Sequence, residues 1–121
     1  MSTVKEMLEK LLDDLKMIGN IEASAIVSRD GLLMSSDIPG GVHAETFAAM
    51  NATMMGAAET AISELNKGVP DRIIIESKEA KVIVTGAGQK ALLVVMSRPE
   101  AGLGLILVEM EKVTEKIKGL L

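Results

Sequence analysis

The sequence predicts an α+β fold in which helices cover both faces of one antiparallel β-sheet, an α/β/α sandwich. Its periodic segments follow the order helix, two strands, helix, three strands, helix. The connections between consecutive strands are short enough for antiparallel hairpins. The last strand, residues 91–96, is apolar without alternation, which is typical of a strand covered on both faces. We therefore expect this strand at the centre of the sheet.

The composition of the 121 residues indicates one domain, residues 1–121, with an aliphatic core. The chain contains one Phe and no Tyr or Trp, so aliphatic residues and Met must fill the interior. We expect Met7, Met50, Met54 and Met96 to lie there. A net charge of −4 argues against nucleic acid or an anionic membrane as the main partner. The absence of Cys excludes disulfides and thiolate metal sites.

The N-terminal segment shows no targeting signal, because acidic residues begin at Glu6 and the apolar positions there are periodic. No apolar run approaches the roughly 20 residues that a transmembrane helix needs. We therefore expect a cytoplasmic protein without membrane insertion.

The first part of the chain is predicted to form a helix and a hairpin. Apolar residues recur at helical spacing over residues 4–18, with charged residues between them. Strands at 23–28 and 32–35 flank the pair Asp30-Gly31, which supplies the positive φ that a tight turn needs.

The second part is predicted to hold the long helix and the remaining strands. The elements in order are a break at residues 39–41, a helix at 44–66, strands at 72–77, 81–85 and 91–96, and a closing helix at 103–120.

The long helix carries more apolar surface than one sheet can cover. Projected at 100° per residue, one arc spans about half the circumference, wider than the roughly 100° stripe that seats a helix on a sheet. This arc contains Ala57, Met50, Ala61, Met54, Leu65, Phe47, Ala58, Asn51, Ala44, Ile62, Met55 and Ala48. The surplus predicts a protein partner; the alternative is a helix sunk deep in its own core.

The isoleucine run that follows this helix points to the same conclusion. If residues 91–96 are central, residues 72–77 lie at a sheet edge with 81–85 between them, and an exposed apolar edge invites pairing. Pairing with its own copy across a two-fold axis would protect it, so we predict a homodimer; the alternative is an edge covered by a loop. The predicted interface residues are Ala48, Asn51, Met55, Ile62, Ile73, Ile74 and Ile75.

Asn51 is the strongly polar member of the apolar arc. A buried Asn can fix the register of two facing helices. The favoured alternative is that its side chain bonds a local backbone group or meets solvent.

Catalytic patterns are missing from the sequence. His43, the one histidine, precedes the long helix, where a capping or solvated role is more common than catalysis. No Gly-x-Ser-x-Gly elbow or P-loop occurs, and Gly86-Ala87-Gly88 lies between two strands as a turn. We therefore predict no catalytic, cofactor-binding or metal-binding residues and no enzymatic activity.

Over almost its whole length the chain resembles the Roadblock/LC7 family. The segments that carry the resemblance are the hairpin at residues 25–32, the Ala- and Met-rich helix at 44–65, the strands at 73–76 and 82–84, and the closing helix from 104–107. The resemblance implies a five-stranded antiparallel sheet of the profilin- and longin-like layout, with the long helix on one face and the N- and C-terminal helices on the other. It also implies dimerisation through the long helix and the following strand, and a role as regulator or scaffold of Ras-like small GTPases.

Two mechanisms are compatible with such a role. The protein could supply an arginine to the transferring phosphate, for which only Arg29, Arg72 and Arg98 are available. Arg29, beside the hairpin turn, is the most exposed candidate, although the favoured interpretation of this residue is a solvated turn residue without such a role. Alternatively, it binds and biases a switch region without chemistry, which we prefer. The competing functions are a small-ligand sensor and a structural subunit of a larger complex that binds regardless of nucleotide.

Overall fold

The computed structural model describes residues 2–40 and 42–121, so Gly41, part of the predicted break before the long helix, lies outside the described residues. Within this part of the chain, three helices and five strands follow the predicted order. Their bounds are α1 (Val4–Lys16), β1 (Ile21–Ser28), β2 (Leu33–Asp37), α2 (Ala44–Glu64), β3 (Arg72–Glu76), β4 (Lys81–Ala87), β5 (Ala91–Ser97) and α3 (Leu103–Leu120).

The five strands form one antiparallel sheet in the order β2-β1-β5-β4-β3. β5 is central, β3 lies at an edge and β4 lies between them, as predicted. The predicted α+β sandwich is therefore confirmed, both in its elements and in the central position of the apolar strand.

The two faces of the sheet carry separate hydrophobic cores. On one face α1 and α3 pack through Leu12, Met110 and Ile117, and on the other α2 packs through Ala48 and Met55. The central strand serves both cores because its side chains alternate between the faces. The residues on the α1–α3 face are Leu93 and Val95, and those on the α2 face are Leu92 and Val94. This double burial explains why β5 is apolar without alternation.

The β1–β2 turn brings the backbone of the hairpin against α2. Gly31 has a φ of +91°, and its N–H donates to the Ser28 carbonyl at 2.9 Å. A Cβ at this position would lie 3.3 Å from the Ala49 Cα and 3.7 Å from the Ala52 Cβ. The glycine is thus required twice, by the positive φ and by the close approach of the helix.

The prediction for two of the methionines is wrong. Met50 lies on the outer side of α2 with 53% of its surface exposed, and Met7 is also exposed. Met54 and Met96 are half-buried. Helical spacing alone does not separate a core methionine from one at the margin of the apolar arc, which explains the error.

Candidate protein-binding surface

The edge strand β3 has a free hydrogen-bonding side. It pairs with β4 in an uninterrupted register, and within residues 2–40 and 42–121 no strand pairs with its other side. Ile73 and Ile75 are half-buried on the α2 face of the sheet, because they pair with Val84 and Val82. Ile74 points to the opposite face and is 37% exposed. A regular edge strand of this composition can accept another strand.

The exposed flank of α2 supplies further apolar surface on the same face as Ile73 and Ile75. Met50 and Leu65 are 53% and 64% exposed, and Ala57 and Ala61 between them are exposed as well. We call this flank together with the edge of β3 the α2–β3 surface; it consists of Met50, Ala57, Ala61, Leu65, Ile73, Ile74 and Ile75. Ile74 lies on the opposite face of the sheet and the other six residues lie on the α2 face; exposed apolar groups of this kind are typical of protein-interaction sites.

Three residues predicted for the dimer interface are buried inside the protomer. Ala48 and Asn51 are 0% exposed and Met55 is 2% exposed, because this end of the apolar arc faces the protein's own sheet. Their assignment to an interface is therefore wrong. Ile62 is half-buried, at the margin of this contact. The periodicity gives the width of the arc, but it does not say which end of the arc the sheet buries; the exposed residues lie toward the other end.

Asn51 makes a local hydrogen bond within α2. Its Nδ2 donates to the Phe47 carbonyl at 2.7 Å, while its buried Oδ1 has no hydrogen-bond partner in the described part of the chain. The favoured interpretation, a bond to a local backbone group, is confirmed. A role in fixing the register of two facing helices is wrong, since the side chain points into its own core.

Arg29 is engaged inside the protomer. Its Nη2 donates to the Gly88 carbonyl at 2.8 Å, and its Nη1 lies 3.4 Å from Oε2 of Glu59 on α2. The missing side chain of Gly86 makes room for it, because a Cβ there would lie 2.9 Å from Nη2. The side chain is only 31% exposed, so Arg29 is not the freely solvated turn residue that we expected. It ties α2 to the β4–β5 turn.

The other two arginines lie elsewhere, and the fold does not bring the three together. Nε of Arg98 is 3.5 Å from Oε1 of Glu22, and its backbone N–H donates to Asn20 at the start of β1, whereas Arg29 follows the other end of that strand. Arg72 begins the edge strand β3 and forms no ion pair within the described residues.

A groove of about 280 Å³ separates α3 from the β3–β4 edge. Its walls carry both signs of charge and hydroxyl groups. Thr85 Oγ1 already donates to the Asp71 carbonyl, and Lys118 Nζ lies 2.9 Å from Oε1 of Glu115. Much of the polar lining is therefore paired within the protein.

The described residues contain no group of three or more His, Cys, Asp or Glu side chains placed to hold a metal ion. None of their helices combines the length and apolar character needed to span a membrane. His43 precedes α2, is exposed and makes no capping hydrogen bond through its side chain.

Comparison with known proteins matches these features to one family. The family model described as Roadblock/LC7 domain matches residues 7–97. The uncharacterized protein MJ1340 of Methanocaldococcus jannaschii is 35% identical over 114 residues, which cover 94% of this chain and 99% of that protein.

Solved structures of MglB share the fold. The MglB structure from Myxococcus xanthus has a TM-score of 0.91 at 17% identity and covers 99% of this chain and 91% of its own. A structure described as MglB with tetrameric arrangement gives the same values. At this identity the likeness concerns the fold alone, whereas the family match rests on the sequence. The chain therefore belongs to the Roadblock/LC7 family.

Proposed function

We propose that this protein is a non-enzymatic, cytoplasmic homodimer that binds a Ras-like small GTPase as its regulator or scaffold. The observation that carries the proposal is the α2–β3 surface, an unpaired regular edge strand beside an exposed apolar helix flank. Membership of the Roadblock/LC7 family supports the class of partner, since the resemblance implies regulation of such GTPases.

The α2–β3 surface fits a second copy of the same chain. Two β3 strands that pair across a two-fold axis satisfy each other's free backbone groups and remove the exposed edge. If the axis is perpendicular to the sheet, both α2 helices lie on one face and can cover each other's Ala57, Ala61 and Leu65. The tetrameric arrangement described for an MglB structure agrees with self-association in this family.

The arginines favour binding without chemistry. An arginine finger needs a guanidinium that can reach into another protein's active site. The guanidinium of Arg29 is already bonded to Gly88 and lies beside Glu59, and Arg98 lies beside Glu22. Arg72 forms no ion pair within the described residues, but it begins the β3 edge that the proposed dimer would cover. A partner that prefers one conformation of a switch region shifts its population through binding alone, which needs no group for catalysis. Replacing Arg29, Arg72 and Arg98 by lysine keeps the positive charges and removes the guanidinium groups that a finger needs, so it should leave any effect on the partner's nucleotide hydrolysis in place.

We expect Ile74→Lys to convert the dimer into a folded monomer. The substitution places two like charges at the centre of the proposed strand pair, and we expect the dissociation constant to rise at least about tenfold. We choose Ile74 because its side chain is exposed, whereas Ile73 packs against the core on the α2 face, where a lysine would destabilise the fold of the protomer. Multi-angle light scattering over a concentration series measures the change.

Val108→Lys is the matched control for this experiment. Val108 lies on α3, is 51% exposed and is remote in sequence from the α2–β3 surface. Val108→Lys should leave the molar mass of the dimer in solution unchanged. Circular dichroism verifies that both variants are folded. A wild-type protein that scatters as a monomer at all concentrations would contradict the proposed dimer, and so would an Ile74→Lys dimer of unchanged affinity.

The GTPase partner is tested by its response to nucleotide. A panel of Ras-like GTPases from the same organism is loaded with GDP or with a non-hydrolysable GTP analogue and passed over the immobilised protein. We expect one member to bind with an affinity that differs at least about tenfold between the two states, because a switch region differs between them. Equal binding in both states would favour the structural-subunit alternative, and no binding would reject the GTPase proposal.

A further inference from the structure

We infer that Arg72 and Glu76 act as the specificity-determining residues of the β3 edge: they fix the register of the strand pair and select a second copy of this chain. The inference rests on the proposed homodimer and adds to it the residues that face each other. Its basis is the order of side chains along β3, where three isoleucines separate one positive and one negative end.

Symmetry restricts the possible registers of two β3 strands. Residues directly opposite each other in an antiparallel pair point to the same face of the sheet, and side chains alternate along each strand. With a two-fold axis perpendicular to the sheet, opposite residues must therefore both be even-numbered or both be odd-numbered. The axis then passes through a residue, which leaves Ile73, Ile74 or Ile75 as the centre.

Centring on Ile74 gives the complementary register. Arg72 then lies opposite Glu76 of the partner subunit at one end, and the symmetric pair forms at the other. Centring on Ile75 instead would place Arg72 level with the partner's Lys78, a like charge. Opposite charges in directly facing positions stabilise a strand pair and like charges destabilise it, so the charges favour the Ile74-centred register.

Centring on Ile73 is the third possibility and also loses the charge pairs. It would place Arg72 opposite Ile74 of the partner subunit and would leave Glu76 level with the partner's Pro70, which has no backbone N–H to donate. The Ile74-centred register uses all five residues of β3, whereas each shifted register leaves at least one charged end without its counterpart.

The pairing within the protomer extends this match across the sheet. Arg72 pairs with Thr85 and Glu76 pairs with Lys81 on β4, so Glu76 would lie between Lys81 and Arg72 of the partner subunit. Neither Arg72 nor Glu76 forms an ion pair in the part of the chain that the structure describes, and both are exposed. Their charges are thus free to serve the strand pair.

The central row across the proposed pair is entirely apolar. Ile74 lies beside Ile83 of β4 on the α1–α3 face, and the two-fold axis would repeat both in the partner. The isoleucines therefore make stabilising apolar contacts in any register, whereas the charged residues at the two ends of β3 favour one register over the others. They also discriminate between chains, because a foreign edge strand whose two ends carry the same charge would meet one repulsive pair.

Charge reversal tests the pairing of the ends. Arg72→Glu produces a strand with two acidic ends, and Glu76→Arg produces one with two basic ends. Each variant alone places like charges at both ends of its homodimer, and we expect the dissociation constant to rise at least about tenfold. Mixed together, the two variants face each other with opposite charges and should form a heterodimer, which native mass spectrometry detects.

Two further variants complete the charge experiment. The double variant Arg72→Glu/Glu76→Arg restores opposite charges and should regain the homodimer. Glu79→Arg changes the same charge in the exposed β3–β4 turn, outside β3, and should leave the dissociation constant within about threefold of wild type. Single variants that dimerise like wild type, or a mixture without heterodimer, would overturn the assignment.

Disulfide cross-linking of single introduced cysteines locates the two-fold axis without any change of charge. Because the chain has no cysteine of its own, each variant carries a single thiol. Directly opposite residues in an antiparallel pair have Cα atoms about 4.5–5.5 Å apart, within the range of a disulfide. Under mild oxidation Ile74→Cys should form a covalent dimer, and Ile73→Cys and Ile75→Cys should not.

The possible outcomes distinguish a wrong register from a wrong homodimer proposal. A covalent dimer from Ile73→Cys or Ile75→Cys alone would show a shifted register and overturn the inference while the homodimer stands. A protein that scatters as a dimer but cross-links through none of the three would place the interface away from β3. A wild-type monomer would reject the homodimer itself.

Discussion

Replacing Gly31 by alanine should lower the free energy of unfolding by about 2–3 kcal/mol, a large effect for one methyl group. A φ of +91° is unfavourable for any residue with a Cβ. The new methyl group would also lie 3.3 Å from the Ala49 Cα, a backbone atom that moves only if α2 moves. Strain in the turn and displacement of the helix therefore add to each other.

Gly56→Ala provides the opposite expectation and serves as control. Gly56 lies inside α2, is exposed, and has no atom within 4 Å of the position of an added Cβ. Alanine there should stabilise the helix by up to about 1 kcal/mol. Chemical denaturation of both variants with an unchanged m-value measures the two effects. Equal stabilities of Gly31→Ala and wild type would show that the turn does not hold this conformation.

The contact of Gly31 also accounts for part of the composition of α2. The sequence predicted the β1–β2 turn from Asp30-Gly31, but the helix that covers this turn lies about twenty residues further along the chain. Ala49 and Ala52 face the glycine, and larger side chains there would push the turn away. Two alanines of α2 are therefore small because the hairpin approaches them.

The sheet order was predictable because burial leaves a local signature. An uninterrupted apolar strand must be covered on both faces, which identified β5 as central, and the short connections then placed β4 next to it and β3 at the edge. The exact ends of the strands were less predictable. β1 begins at Ile21, two residues earlier than expected. The preceding turn ends at Asn20, which has a positive φ, and the sequence pattern did not predict that conformation.

The orientation of α2 about its own axis was not predictable from its periodicity. An apolar arc of half a turn has many possible centres, and only the sheet decides which residues it buries. Ala48 and Met55 proved to be internal, while Met50 proved to be exposed. The predicted surplus of apolar surface is present, but it extends from one end of the arc, at Ala57 and Met50, to Leu65 near its centre, whereas the sheet buries the other end.

Arg29→Met should lower the free energy of unfolding by about 1–3 kcal/mol. The substitution keeps the length and most of the apolar surface of the side chain and removes its charge and donors. The Gly88 carbonyl then loses the donor at 2.8 Å, and the space above Gly86 loses the group that fills it. Arg29→Lys should restore only part of the loss, because one ammonium does not reproduce the guanidinium fork. Thermal and chemical denaturation measure the series.

Glu59→Gln isolates the ion pair from the hydrogen bond. Both side chains of the pair are about one-third exposed and the atoms are 3.4 Å apart, so the loss should stay below about 1 kcal/mol. A loss larger than that of Arg29→Met would contradict the dominant role of the bond to Gly88.

The sequence did not reveal the contacts of Arg29, because the two residues that its guanidinium contacts lie 30 and 59 residues away along the chain. The bond to Gly88 joins the β1–β2 turn to the β4–β5 turn, and the ion pair with Glu59 joins both to α2, the helix that carries Ala57 and Ala61. Loss of the whole Arg29 side chain should therefore weaken dimerisation as well as folding, whereas Glu59→Gln, which keeps the bond to Gly88, should change dimerisation less.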